Sequence, residues 1–310
     1  MTGIDCQGYE VPITRAKTLF PFIVVLPWLV VLSGCVHGRA LFLFEQPFLS
    51  SLGDETRVRA ALIAGAASRG YLPRMAVAPA EGKPVDWLLR ESGSLGRGAV
   101  VVGPLLSYEW RSFLSRLPAS RFILIGSIGI ADLPPNALVL SFDRAPEFRS
   151  AGRSAAQSAF AAAGRTGMLV SAASDLSDAE TAAFIAGVGE VPGAEAPVLQ
   201  TLPAAPEKAG IQRAIEQMRK EGVEVFLLGL ASQDPWGLEV LKATGGRAVV
   251  AGWRGSRVYP EQVLLSVEAE VPAGVRIALA AAARGEKHVN GPVSLVKGLA
   301  GAGKAAAAGK

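Results

Sequence analysis

Short β-forming runs alternate with helical stretches along nearly the whole chain, and in mid-sequence one such run passes straight into a long helix. The run is Leu138-Val139-Leu140-Ser141-Phe142-Asp143, and the Ala/Ser-rich stretch 145–163 follows it. One β–α series lies before this point and a second lies after it. Strands separated by helices at this spacing form parallel sheets with right-handed crossovers. Two such series joined by a mid-chain strand predict two α/β lobes facing each other across a cleft, each lobe a parallel sheet flanked by helices.

In the first series, 40–44 (ALFLF) reads as a strand and 45–53 as a loop. A helix over 54–69 stops at Gly70. A weak strand at 74–78, a helix at 85–91, a strong β run at 99–102, a helix at 108–117 and a buried strand at Arg121–Ile125 complete it. The second series reads as strand 166–171, helix 178–188, strand 197–201 and amphipathic helix 207–221. Strand 223–228, helix 235–244 and strand 247–251 follow. The stretch 260–284 reads as helix interrupted by Pro272 near Val271, and 294–296 as a last short strand. The low-complexity end 301–310 is expected to fray.

At 310 residues the chain has room for two domains, each with its own core. Of its residues, 50% are hydrophobic and 19% charged. Part of that apolar excess sits at the start, where Arg15 and Lys17 precede TLFPFIVVLPWLVV (18–31). This stretch is too short for a confident transmembrane span and has the length of a signal-peptide core. Leu32-Ser33-Gly34-Cys35 follows immediately and resembles the bacterial lipobox, in which the cysteine is lipidated and becomes the mature N-terminus. Residues 1–34 are then a lipoprotein signal peptide, and Cys35 anchors the protein to a membrane of the bacterial cell envelope, on its periplasmic face or at the cell surface. Cys6 would leave with the leader, so no disulfide can form within the mature chain.

Several chemistries find no support. The formal charge of +4 is modest, and no Lys/Arg cluster is interleaved with aromatics, which argues against nucleic acid. Two histidines, His37 and His288, and no spare cysteine argue against a transition-metal site. There is no Gly-x-Ser-x-Gly elbow and no Gly-x-x-x-x-Gly-Lys-Ser/Thr loop, and no histidine is placed in sequence to serve a serine nucleophile. The glycine-rich run 93–98 (GSLGRG) precedes a strand instead of linking strand to helix, so it does not read as a phosphate cradle. The expectation is a non-enzyme with no cofactor.

The order of leader, α/β lobe, crossing strand with long small-residue helix, and second α/β lobe resembles the type I periplasmic binding proteins. Within them it is most similar to the basic membrane protein group of purine-nucleoside receptor lipoproteins. The residues that carry this are Arg121-Phe122-Ile123-Leu124-Ile125 and Asn136-Ala137-Leu138-Val139-Leu140-Ser141-Phe142. Gly152-Arg153-Ser154-Ala155-Ala156, Glu221-Gly222-Val223-Glu224-Val225-Phe226 and Gly237-Leu238-Glu239-Val240-Leu241-Lys242 add to them. The resemblance implies a lipid-anchored receptor that closes on a small polar or aromatic solute, nucleoside-like in that group, and delivers it to an ABC permease. It implies a first lobe of 36–142 with a returning segment 254–300, a second lobe of 143–253 and a tail of 301–310. The sequence departs from the group where ligands sit. The group's acidic run after the first strand is echoed only by Asp54, and its ribose-holding aspartate is replaced by the segment containing Trp253 and Arg254. An arginine there favours an anionic or carbonyl-bearing group. The alternative is an envelope lipoprotein that keeps the fold for protein contact or regulation.

Ligands of open α/β sheets bind beyond the carboxyl ends of the strands. That rule nominates Phe48 and Trp253 as rings that either stack on a planar ligand or pack in loops. Arg254 is either an anion partner or a solvated surface residue. Asp143 is either a ligand acceptor or the cap of the following helix. Ser127 lies at the mouth of the first lobe. In the second, Asp175 lies at a strand end and Trp236 sits behind Asp234-Pro235, an N-cap with proline at the first helical position.

Overall fold

The computed structural model describes residues 38–298 except 80–82, 94, 96–97, 127, 130, 175, 232–233 and 253–258. The leader, Cys35, Ser127, Asp175, Trp253, Arg254 and the 301–310 tail lie outside the described residues.

Two six-stranded sheets form the frame, and their strands follow the alternation read from the sequence. The first contains β1 (Gly38–Glu45), β2 (Tyr71–Ala78), β3 (Gly98–Val102), β4 (Arg121–Ile125), β5 (Ala137–Ser141) and β11 (His288–Asn290), in the order β11-β5-β4-β3-β1-β2, all parallel. The second contains β6 (Arg165–Ser171), β7 (Val198–Leu202), β8 (Val223–Gly229), β9 (Arg247–Ala251), β10 (Val263–Ala269) and β12 (Val293–Lys297), in the order β12-β10-β9-β8-β6-β7. Only β12 runs antiparallel, against β10. The inner strands are near-continuous apolar runs because both faces are covered. Phe42, Phe44 and Ile123 bury into a core on one face of the first sheet, Leu41, Leu43 and Phe122 into one on the other. Leu169 and Phe226, and Met168 and Leu227, do the same across the second sheet.

The helices are α1 (Gln46–Leu52), α2 (Glu55–Ala67), α3 (Pro84–Gly93), α4 (Pro104–Ser107), α5 (Ala145–Phe160), α6 (Asp178–Gly189), α7 (Lys208–Lys220), α8 (Asp234–Thr244) and α9 (Val271–Ala283). Local chemistry sets their ends. Asp54 accepts from Arg57 N at 3.0 Å to start α2, and Ser177 and Glu180 form a reciprocal capping box at α6. Gly70, at φ 75°, supplies the left-handed residue past α2. Helix α7 buries Ile211, Ala214, Ile215 and Met218, one stripe at helical spacing. The tightest helix pair is α5 with α6. A Cβ on Gly152 would collide with the Phe184 carbonyl, and one on Gly187 with the Arg149 carbonyl, so the two backbones touch. Arg149 and Arg153 then clamp Glu190 across the pair and hold its carboxyl below the usual range.

Four expectations are corrected. Residues 45–53 are not a loop, because Glu45 completes β1 and Pro47, in the first turn of α1, starts a helix where its missing N–H costs nothing. In place of a helix over 108–117 there is the short α4, begun by Pro104, followed by 3-10 turns at Trp110–Ser112 and Leu114–Arg116. The stretch 260–284 is not one helix. Val263–Ala269 is a mostly buried strand of seven residues (VLLSVEA), too short for its apolar pattern to be told from a helical segment by period, and Pro272 opens α9 instead of breaking it. The returning segment 254–300 therefore does not belong wholly to the first lobe. Strands β10 and β12 complete the second sheet, while α9 and β11 return to the first.

Candidate functional site

Three crossovers join the lobes, and each joins carboxyl ends. The chain leaves the end of β5 through Phe142-Asp143-Arg144 to start α5, leaves the end of β10 through Glu270 to start α9, and leaves the end of β11 through Gly291-Pro292 to start β12. The carboxyl ends of the two parallel sheets are thereby turned toward each other, which puts the ligand-binding ends of both lobes on one cleft.

The crossovers are laced together. Gly291 N donates to Ser141 O at 2.7 Å and Glu270 N to Pro292 O at 2.9 Å. Ser294 Oγ donates to Glu270 Oε1 at 2.7 Å. The Phe142 ring lies against two glycines. A Cβ on Gly274 would come within 2.9 Å of it, and one on Gly291 would overlap it. Ser141 Oγ lies 2.7 Å from His288 Nε2 and 2.6 Å from Asn290 Oδ1. The contact joins residues 147 positions apart, which hid it in the sequence. The single hydroxyl proton can serve only one acceptor. Donation to Asn290 makes His288 the donor to Ser141, so the contact is a strap closing β5 on β11 and not a nucleophile with its base.

In each sheet the strand order reverses beside the first strand of the lobe, between β1 and β3 and between β6 and β8. Such switch points open a crevice at the carboxyl ends. In the first lobe the crevice holds Glu45, the last residue of β1, at 7% exposure. Its Oε1 accepts from Leu106 N at 2.6 Å, at the start of α4. Among the described residues its Oε2 has no hydrogen-bond partner, and burial raises its carboxyl above the usual range. Gly103 makes the room, since a Cβ there would overlap Oε2. In the second lobe the equivalent last residue of β6 is Ser171, buried, with an Oγ that also lacks a partner among the described residues. Beside it Ser174 Oγ accepts from Leu176 N at 3.1 Å, and Asp234 Oδ1 accepts from Leu230 N at 2.8 Å.

Sequence reasoning missed Glu45 and Ser171. The available signal was a polar residue ending an apolar run, with Gly103-Pro104 closing the neighbouring strand. Of the nominated residues, Phe48 lies half-buried on α1, edge-on to Phe44 with ring centroids 5.5 Å apart, so it joins the first core. Asp54 is spent as the cap of α2. Asp143 is exposed at the crossover and accepts from Ala145 N at 3.2 Å. The next residue, Arg144, grips Glu180 with bonds of 2.6 and 3.0 Å, tying the start of α5 to α6. Trp236 stands 42% exposed in the first turn of α8, behind the carboxyl end of β8. Asp234 and Pro235 are the first two residues of α8, so Asp234 lies inside the helix where the sequence reading made it the N-cap, and its carboxylate accepts from Leu230 N.

The two described cavities lie elsewhere. One of about 560 Å³ sits at the outer edge of the second lobe between the end of β7 and α7, and one of about 360 Å³ at the opposite end of that lobe beside Phe160 and Thr166. Among the described residues no cluster of His, Cys, Asp or Glu is arranged to hold a metal, and no helix is long and apolar enough to cross a membrane.

Two parallel sheets with facing carboxyl ends and three crossovers define a two-lobed fold of the type I periplasmic-binding-protein kind. Solved structures share it. A periplasmic ribose ABC transporter protein from Conexibacter woesei DSM 14684 superposes with a TM-score of 0.61 at 16% identity, over 90% of this chain and 97% of that one. An ABC transporter solute-binding protein from Aeropyrum pernix K1 gives 0.60 at 15% identity, over 84% and 76%. A transcriptional activator of the comK gene from Bacillus halodurans gives 0.65 at 13% identity, over 84% and 90%. At these identities the likeness is one of fold. No known family model and no curated protein matches the sequence.

Proposed function

We propose that this protein is a lipid-anchored solute receptor that captures a small polar or aromatic molecule between its lobes and hands it to an ABC-type importer. The observation that carries the reading is the pair of switch-point crevices, each ending in a buried polar side chain with a spare acceptor, Glu45 Oε2 and Ser171 Oγ. A buried acceptor without a donor costs free energy until something donates to it, so a ligand N–H or O–H placed there is bound with gain. Around them, Asp143 and Trp236 stand at the cleft ends of their elements, and Ser127, Asp175, Trp253 and Arg254 are proposed to complete the lining. Phe48 and Asp54 act from behind, as packing and as a cap. Binding would close the cleft by bending at the three laced crossovers. The basic membrane protein likeness makes a nucleoside-like ligand the first to try, and the acylated Cys35 keeps the receptor at the membrane. Fold neighbours that are themselves solute-binding proteins of ABC systems support the class.

A thermal-shift screen against nucleosides, sugars and amino acids tests this, because a true ligand stabilises by RT ln(1 + [L]/Kd). A hit that Trp253→Ala abolishes without loss of fold supports the receptor. A second reading, protein contact through a filled cleft, draws on Glu45 occupying the first crevice itself. It predicts no hit in the same screen. For the anchor, Cys35→Ser should leave the leader uncleaved, and a processed, membrane-bound Cys35→Ser protein would overturn it.

A further inference from the structure

We infer that the base of the first lobe, the end opposite the cleft, is a membrane-apposed face that rests on anionic phospholipid headgroups. The inference builds on the Cys35 anchor proposed above. Chain length supplies the first argument. Strand β1 begins at Gly38, so only Val36 and His37 separate it from the acylated cysteine. Three residue steps span at most about 10 Å. The amino end of β1 is thus held at the bilayer surface with no linker to swing on.

Charge supplies the second. Because the first sheet is wholly parallel, the amino ends of its strands share one end of the lobe, and the turns that enter them are basic. Arg39 is the second residue of β1, Arg69 precedes β2, Arg116 lies ahead of β4, Arg121 begins β4, and Arg284 and Lys287 precede β11. Arg39, Arg69, Arg116 and Arg284 are exposed. The acidic residues Glu286, Asp132 and Glu91, which lie ahead of these strands, are each paired with an arginine, Glu286 with Arg284 at 2.6 Å, Asp132 with Arg111 at 3.4 Å and Glu91 with Arg74 at 2.9 Å. The register sets Arg39 beside Leu72, a leucine left 46% exposed at the start of β2. An exposed leucine beside an arginine is a composition that headgroups and the outermost acyl carbons accept. The base of the second lobe differs. Glu195, Glu221, Glu224 and Glu261 are interspersed there with Arg165, Arg219, Lys220, Arg247 and Lys297, and Arg165–Glu195 and Arg219–Glu224 are ion pairs. The lobe that carries the anchor has the base with the larger excess of cations over carboxylates among the described residues, whereas the base of the second lobe is close to balanced. Headgroup attraction acts within a Debye length, about 8 Å at physiological salt. The short tether keeps Arg39, on β1 itself, inside that range, and the arginines entering the other strands reach it when the base lies flat on the surface. The first lobe then stands on the membrane, its strand ends lift the cleft clear of the bilayer, and the second lobe is the one that moves.

The test uses the full mature lipoprotein in vesicles of phosphatidylcholine with phosphatidylglycerol, carrying an energy-transfer acceptor on the lipid headgroup. A donor dye is placed on Ala119→Cys, at the first lobe's base, or on Ala196→Cys, at the second lobe's base. Both alanines are exposed, and with Cys6 removed and Cys35 acylated the new thiol is unique. Transfer from position 119 should exceed that from position 196 at least threefold. The charge-reversed Arg39→Glu/Arg69→Glu/Arg116→Glu protein should lose most of that difference, and raising salt on the unreversed protein should do the same should the reversed chain fail to fold. Equal transfer from the two positions, or a difference untouched by both treatments, overturns the inference. Intact mass of the same sample reports Cys35 separately. An unacylated cysteine removes the anchor and this face with it, whereas an acylated one with equal transfer removes the face alone.

Discussion

Replacing Gly152 by alanine separates a close helix contact from an ordinary one by the sign of its effect. At a helix position with free space, Gly→Ala stabilises by roughly 1 kcal/mol through lower chain entropy and better helix propensity. At Gly152 the new Cβ would run into the Phe184 carbonyl, a backbone atom that cannot rotate away. Overpacking of this kind costs about 1–3 kcal/mol, and a rigid obstacle puts the cost at the upper end. The net is a loss of about 2 kcal/mol, or a fall in Tm of roughly 4–8 °C for a lobe of this size. Gly210, inside α7, is the matched control, because nothing lies within 4 Å of its Cβ position. Gly210→Ala should raise Tm by roughly 2–4 °C. Circular dichroism melts of the three proteins in one buffer are sufficient. A Gly152→Ala protein as stable as the parent, or more stable, would refute the backbone contact between α5 and α6.

Glu45 should make stability pH-dependent. Its folded value is raised, so its contribution is present below about pH 4.5 and is lost as pH climbs through the folded value. The Tm of Glu45→Gln relative to the parent should therefore rise from about pH 4 to neutrality, and a constant difference would contradict the assignment. Arg144→Ala leaves Glu180 in a poorly solvated site without its cation. It should cost about 3 kcal/mol in denaturant unfolding, with Glu180→Gln in the same chain recovering part of it; a loss under about 0.5 kcal/mol would show the pair to be ornamental. Phe142→Ala should loosen the crossovers, seen as faster amide exchange at Ser141 and Gly291 than in the parent, and unchanged exchange there would remove its role as a wedge.

The alternation of strands and helices was legible because each buried parallel strand is a short apolar run closed by glycine, proline or a polar residue. The failures share a physical cause. The run Val263–Ala269 is seven residues long with Ser266 and Glu268 among its apolar residues, too short for period to tell strand from helix, and the lobe assignment of the returning segment failed with it. The 3-10 turns after Pro104 depend on how Trp110 and Leu114 pack, which no local pattern encodes. At the site, the cap at Asp54 and the local bond from Ala145 N to Asp143 follow from rules a few residues long. The Ser141–His288 strap and the contact of Glu45 with Leu106 join residues 147 and 61 positions apart, and only the folded sheet brings them together.

The central claim is that the two facing crevices hold a small molecule. Native mass spectrometry of the freshly purified protein, without dialysis against competing solutes, tests it most directly. The account predicts a folded species heavier than the acylated chain by the mass of one small polar or aromatic compound, released on collisional activation and absent from Trp253→Ala. A bare chain mass in a well-folded sample, with no recovery of a heavier species after incubation with nucleosides, sugars or amino acids, would contradict it.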